Sequence, residues 1–172
     1  MRLRNYCTVL LPFVLWGCAS TPTSPLRLYE GPPRDAQTVA RVVLDEAKKT
    51  QPLFGYWEWV ELRKLDDKKL SSETNGKRVY EVLPGTHNLT VRYVYDASSA
   101  QGLLEALLTQ SLTDRVTERF ERVIPLNAKA GVDYVLKFRV EKESAMTPVW
   151  NWKLYYWIED SATGAPVAAE GR

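Results

Sequence analysis

The sequence predicts a mainly β protein, a small antiparallel β-sandwich with one inserted amphipathic helix. Apolar and polar residues alternate with a period of two in several short runs. Clusters of Gly, Pro, Asn and Asp separate these runs at regular spacing. One leucine-rich stretch breaks the alternation, and this stretch is the predicted helix.

The first element of the folded part has two interpretations. Residues 36–49 contain good helix formers after Asp35, a suitable N-cap, which predicts a short N-terminal helix. The apolar positions at helical spacing are Val39, Val42, Val43 and Ala47. The alternative is a single turn followed by a short strand, Ala40–Leu44. The pattern alone leaves both open.

The next region has β character, because aromatic and β-branched residues dominate it from Phe54 onward. Strands are expected at residues 56–62, 79–83 and 89–95. Turns are expected between them at residues 66–69, at Asn75-Gly76 and at Pro84-Gly85.

The predicted helix covers residues 101–113. Its apolar stripe consists of Leu103, Leu104, Leu107, Leu108 and Leu112. This stripe packs on the protein's own sheet or, in the alternative, docks on a partner through Leu104 and Leu108. Further strands follow at residues 115–126, 134–140 and 149–159, with a turn at Gly131 and a closing edge strand at Pro166-Val167.

Charge and cysteine content exclude some classes of function. The chain has 172 residues and a net charge of +2, with 23 Lys and Arg against 21 Asp and Glu. Arg2 and Arg4 are the only charges before Cys18, so the chain from Cys18 onward balances to zero. A neutral chain argues against nucleic acid as a partner. Both cysteines lie within the first 18 residues, which leaves none for a disulfide or a metal in the folded part.

The N-terminus has the organisation of a secretion signal. A basic start is followed by an apolar run, residues 6–16, which is too short to span a membrane. The run ends in Leu15-Trp16-Gly17-Cys18, which resembles the lipobox of bacterial lipoproteins, although Trp16 replaces the usual small residue. The resemblance implies that residues 1–17 are removed and that Cys18 carries the lipid anchor. Ala19 in place of aspartate implies the outer membrane of a Gram-negative cell, with the domain facing the periplasm.

The resulting domain organisation has three parts. Residues 1–17 form the signal peptide, residues 18–33 the lipidated cysteine with a flexible Ser-, Thr- and Pro-rich tether, and residues 34–172 a single β-sandwich domain. Val82-Leu-Pro-Gly-Thr-His87, with the alternating residues that follow, is similar to PEGA-type domains of small lipoproteins. This resemblance implies a sandwich fold far more than a particular activity.

The sequence contains no recognisable catalytic constellation. His87 is its only histidine, and we expect it to bond to backbone near the Pro84-Gly85 turn rather than to act in catalysis or bind a metal. The acidic pair Asp66-Asp67 is expected at a hairpin tip, and the pair Glu159-Asp160 is expected directly before a second turn. We therefore predict a protein without enzymatic activity, cofactor or metal.

The tryptophans and tyrosines offer the best candidates for binding. In residues 149–159, one face carries Trp150, Trp152, Leu154, Tyr156 and Ile158 and is expected in the core. Tyr155 and Trp157 lie on the other face, either covered by the helix or exposed to a ligand. The leading hypothesis is an accessory module, held on the membrane by its N-terminal lipid, that contacts another envelope protein. The alternative is a module that binds carbohydrate or peptidoglycan through Trp57, Trp59 or Trp157.

Overall fold

The computed structural model describes residues 24–49, 57–70, 77–96, 120–143 and 151–170. Eleven strands lie within these ranges. They are β1 (Leu26–Arg27), β2 (Ala40–Leu44), β3 (Lys48–Lys49), β4 (Trp57–Leu65), β5 (Lys68–Lys69), β6 (Val79–Val82), β7 (Gly85–Asp96), β8 (Glu121–Ala128), β9 (Asp133–Glu141), β10 (Lys153–Asp160) and β11 (Pro166–Glu170).

The strands form two sheets, as a β-sandwich requires. The six-stranded sheet has the order β1-β6-β2-β9-β10-β11, and the other has the order β3-β4-β7-β8 with β5 paired to β4. The mainly β fold class predicted from the sequence is confirmed.

Alternation along the strands builds the core between the sheets. In β9 the side chains of Tyr134, Leu136 and Phe138 are buried, and in β10 those of Tyr156 and Ile158 are buried. The second sheet contributes its own buried residues: Val60, Leu62, Leu89, Val91, Tyr93, Ile124 and Leu126. Apolar burial of this kind is the main favourable contribution to folding.

The first element is a turn followed by a strand, so the helical interpretation of residues 36–49 is wrong. Residues 36–38 form a turn in which an Asp35 carboxylate oxygen accepts a hydrogen bond from the Gln37 amide at 2.8 Å. Strand β2 follows, and Ala40, Val42 and Leu44 are buried in it. Hydrogen bonding to a strand on each side satisfies the backbone, and tertiary pairing thereby overrides local helix propensity.

Two strand pairs are parallel, which differs from a purely antiparallel sandwich. Strand β2 runs parallel to β9, with Val42 opposite Tyr134. Strand β1 runs parallel to β6. The other pairs are antiparallel, including the long pairs β4–β7 and β9–β10.

The chain passes between the sheets at two glycine turns that the sequence predicts. Pro84-Gly85 leads from β6 in one sheet to β7 in the other, and Gly85 has a φ of 138°. Gly131 leads from β8 to β9 with a φ of 72°, where its amide donates to the Val39 carbonyl at 2.8 Å. Glycine suits these positive torsions because it has no Cβ.

Several sequence predictions fall outside the described residues. These are the leucine-rich helix at 101–113, the Asn75-Gly76 turn and everything before residue 24. The remaining predicted strands are confirmed in location within the described residues, with ends shifted by a few residues, while residues 115–119 and 149–150 of two of them lie outside those ranges. Strand β7 starts earlier than expected, at Gly85, and β11 continues to Glu170.

Candidate functional site

The outer face of β10 carries the aromatic residues singled out in the sequence. Tyr156 and Ile158 point into the core, so Tyr155 and Trp157 lie on the opposite face, where both are partly buried. Register places Tyr155 opposite Arg139 and Trp157 opposite Lys137 of β9. Each aromatic ring therefore has a cationic neighbour on the adjacent strand.

Trp157 is held by a chain of polar contacts. Its indole N–H donates to Glu159 Oε1 at 2.7 Å, and the Lys137 ammonium lies 2.6 Å from Glu159 Oε2. The hydrogen bond from Lys137, followed by that from Trp157, lowers the pKa of Glu159. The same contact raises the pKa of Lys137. Both groups thus remain charged near neutral pH, and the indole has a fixed orientation.

Tyr155 is held in a similar way. Its hydroxyl donates to Glu141 Oε2 at 3.0 Å. The Arg139 guanidinium lies 5.1 Å from the ring centroid, and it pairs with Glu141 at 2.7 Å. This cation–π contact is of the kind that contributes modestly to stability at exposed positions.

The opposite sheet repeats the tryptophan arrangement, which sequence reasoning missed. On β4, the Trp59 indole N–H donates to Glu61 Oε1 at 3.3 Å. Glu61 Oε2 lies 3.1 Å from an Arg92 nitrogen on β7 and 3.5 Å from Arg63. We call Trp59 with Glu61, and Trp157 with Glu159, the two tryptophan–glutamate pairs. The signal for them is the spacing Trp-x-Glu in a strand, since residues two apart share a face.

A cavity of about 220 Å³ lies beside Trp59. It opens between β4 of one sheet and the ends of β2 and β6 in the other. Its lining includes Leu44, Trp59, Glu61, Lys77, Arg78 and Tyr80. Apolar walls with a few convergent polar groups are typical of ligand sites.

The polar groups around this cavity are fixed by hydrogen bonds. Burial, and then the nearby Glu61 carboxylate, raise the pKa of Tyr80 to about 12, so its hydroxyl stays neutral. That hydroxyl donates to the Lys77 carbonyl at 2.9 Å. An Arg78 guanidinium nitrogen donates to the Leu44 carbonyl at 3.3 Å, which places this cation at the cavity wall.

The remaining predicted site residues are placed as follows. Trp57 lies at the start of β4, on the same face as Trp59, and is 46% exposed. Trp57, Trp59, Tyr155 and Trp157 do not form one site, because β4 and β10 belong to different sheets. Cys18, Leu104 and Leu108 lie outside the described residues.

His87 has a structural environment in which both ring nitrogens are engaged. Nε2 lies 2.8 Å from the Leu83 carbonyl oxygen, which confirms the expected bond to backbone. Nδ1 lies 2.9 Å from Asp66 Oδ2, a partner that the sequence did not suggest. Asp66 has a φ of 52°, in the β4–β5 turn. The histidine thus links this turn to the start of β7.

A cluster of aromatic rings lies at one end of the sandwich, and one of its members is bonded to a carboxylate. Tyr93 packs within 6.4 Å of Tyr95, Phe120, Phe138 and Trp152, measured between ring centroids. The Tyr93 hydroxyl donates to Glu58 Oε2 at 2.9 Å. Burial raises the pKa of Glu58, an effect that this hydrogen bond and Lys48 partly oppose.

Comparisons with known proteins give no further guide to this chain. It matches no protein-family model, no curated protein and no solved structure. Within the described ranges, no three His, Cys, Asp or Glu residues come together as metal ligands. No helix in the same part of the chain is long and apolar enough to cross a membrane.

Proposed function

We propose that this chain is a lipid-anchored, non-enzymatic binding module of the bacterial cell envelope, and that its ligand is cell-wall glycan. The lipobox-like sequence at Cys18 supports the anchor, and Ala19 in place of aspartate supports the outer membrane as its location. The domain faces the periplasm in this proposal, where the cell wall lies within reach of the tethered sandwich.

The two tryptophan–glutamate pairs are the observation that carries the choice of glycan. Each indole edge is bonded to a carboxylate at 2.7 Å or 3.3 Å, and that carboxylate is paired with a cation on the next strand. A ring held in this way loses little conformational freedom when a ligand stacks on it. Sugars present flat apolar faces with polar edges, a shape that suits a fixed amphipathic aromatic ring.

The contacts of His87 support a structural role for this residue over a catalytic one. Its ring nitrogens face the Asp66 carboxylate and the Leu83 carbonyl, so proton transfer to a substrate would require breaking a structural contact.

The first test is retention of the full chain, purified in detergent, on isolated cell-wall sacculi. We expect Trp59→Ala and Trp157→Ala each to weaken retention by about tenfold, equivalent to about 1.4 kcal/mol. Tyr29→Ala is the matched control, because Tyr29 is a partly buried aromatic residue bonded to Glu81 at 3.3 Å, outside both tryptophan–glutamate pairs. Wild-type retention by the Trp59→Ala/Trp157→Ala double variant would refute the proposal.

An envelope protein is the second candidate partner. Strands β8 and β11 end their sheets in the described part of the fold, and Val123 and Val167 on them are 49% and 48% exposed. Exposed apolar side chains on edge strands suit contact with another protein. A photo-crosslinker at residue 167 that captures one dominant protein in cells, while one at residue 157 captures none, would favour this candidate.

A further inference from the structure

The cavity beside Trp59 has the size of a single ring. Its volume of about 220 Å³ is below the roughly 300–1,000 Å³ of sites for drug-sized ligands. Trp59 forms part of the wall, and the contact with Glu61 fixes its indole edge. The cavity therefore has room for one sugar ring stacked on this indole.

Among the described residues at the cavity, positive charges outnumber negative ones despite the presence of Glu61. One Glu61 oxygen accepts from Trp59, and the other lies 3.1 Å from Arg92 and 3.5 Å from Arg63. These two guanidinium groups offset the single negative charge of Glu61. Lys77 and Arg78 add two more positive charges to the lining.

These two lining cations have no acidic partner among the residues that the structure describes. The ion pairs in those ranges involve neither Lys77 nor Arg78. Arg78 donates to the Leu44 carbonyl, and a guanidinium has five N–H donors in total. Donors thus remain for an anion, which arginine binds through two parallel hydrogen bonds.

We propose that the cavity beside Trp59 binds a sugar ring that carries an acidic group. The ring stacks on Trp59, and the acidic group is bound by Arg78 with support from Lys77. This inference rests on the proposed glycan-binding function and narrows its ligand to the acidic sugars. Carboxylate and phosphate share the required chemistry, and the experiment separates them.

The experiment is an NMR titration of the full chain in detergent, monitored at the indole N–H of Trp59. The signal is assigned with Trp59→Phe. The probes are two pairs: N-acetylmuramic acid against N-acetylglucosamine for a carboxylate, and glucose 6-phosphate against glucose for a phosphate. We expect the acidic member of at least one pair to bind about fivefold or more tightly than its neutral counterpart, and the pair that shows the contrast identifies the acidic group.

Two variants test whether Arg78 is responsible. Arg78→Gln retains a donor for the Leu44 carbonyl but loses the charge, so the contrast between acidic and neutral sugar should disappear. Lys129→Gln makes the same charge change at an exposed lysine between β8 and β9, and it should leave the contrast intact.

Three results would overturn the inference: equal affinity within both pairs, a contrast that survives Arg78→Gln, or no response of Trp59 to any probe. If the protein is still retained on sacculi through its tryptophans, such a result refutes the acidic-sugar site but leaves the proposed glycan binding in place. If retention on sacculi does not depend on the two tryptophans, the proposed function itself is refuted.

Discussion

Asp66 connects the β4–β5 turn to the first residues of β7. One of its oxygens accepts from the Asn88 amide at 2.8 Å, and the other lies 2.9 Å from His87 Nδ1. Partial burial alone would raise the pKa of Asp66, but the hydrogen bonds with His87 and Asn88 outweigh it and lower that pKa. Its backbone has the left-handed torsion that aspartate and asparagine tolerate better than most residues.

Substitutions of Asp66 separate its torsion from its contacts. Asp66→Gly keeps the torsion and loses the contacts, so we expect a loss of about 1 kcal/mol in the free energy of unfolding. Asp66→Ala should cost about 2 kcal/mol, because it also forces alanine into the left-handed region. Urea denaturation measures both. Equal losses would show that the torsion carries no cost here.

Protonation of Asp66 should also lower stability. Because the folded state lowers its pKa, the stabilisation is present above the unfolded value and is lost as the pH falls through the folded one. Denaturation at a series of acidic pH values should show a smaller decrease in Asp66→Asn than in the wild type. Identical decreases would contradict a contribution from this carboxylate.

Neighbouring tyrosines of β10 provide a matched comparison. The buried Tyr156 hydroxyl donates to the Phe120 carbonyl at 2.6 Å, while the Tyr155 hydroxyl bonds Glu141 on the outer face. Tyr156→Phe removes the partner of a buried carbonyl and should cost about 1–3 kcal/mol. Tyr155→Phe should stay within about 0.5 kcal/mol of the wild type. Chemical denaturation checks both, and similar losses would argue against an important Tyr156 bond.

At the scale of elements, the direction of each side chain follows from its position in a strand. In β9, Leu136 is fully buried, while Val135 on the opposite face is partly exposed. Leu136→Ala should lower the free energy of unfolding by about 2–5 kcal/mol through lost burial and a residual cavity. Val135→Ala is the control and should cost clearly less. If Val135→Ala lowered the thermal midpoint as much as Leu136→Ala does, the assignment of these two side chains to opposite faces of β9 would be wrong.

The elements that the sequence predicts well are those with a local signal. Period-two alternation correctly places Tyr134, Leu136 and Phe138 on the buried face, and turn residues correctly locate Gly85 and Gly131. The sequence of strand β2 fits both a helix and a strand, because its conformation is decided by pairing with β6 and β9. Both partners lie far along the chain, so the residues around β2 carry no signal for them.

The candidate site was predictable only in part, for a similar reason. Single aromatic residues such as Trp59 and Trp157 stand out in the sequence. The cavity beside Trp59 does not, because Arg78 and Tyr80 reach it from the other sheet. Likewise, the pairing of Asp66 with His87 depends on a register between β4 and β7 that local patterns do not encode.

At the scale of the whole molecule, the aromatic end of the sandwich contains a partly buried carboxylate. Glu58 accepts a hydrogen bond from Tyr93, and burial raises its pKa. Because the folded state raises this pKa, the contribution of Glu58 to stability is fully present below the unfolded value of 4.5 and is lost as the pH rises through the folded value.

Glu58→Gln should remove this effect while it retains an acceptor for Tyr93. We expect the variant to unfold at a higher temperature than the wild type at pH 7, and the difference to shrink towards pH 4. Thermal denaturation followed by circular dichroism at several pH values measures it. A variant that is less stable than the wild type at pH 7 would contradict a net cost of the Glu58 charge.

The parallel pairing of β2 with β9 has a consequence for the order of folding. Val42 lies opposite Tyr134, far along the chain, so this contact forms only after most of the protein has been synthesised. Pairings between distant segments slow folding, because a long loop must close first. Until β9 arrives, one edge of β2 presents unpaired backbone groups, and chains interrupted before residue 133 would retain that open edge as a template for aggregation.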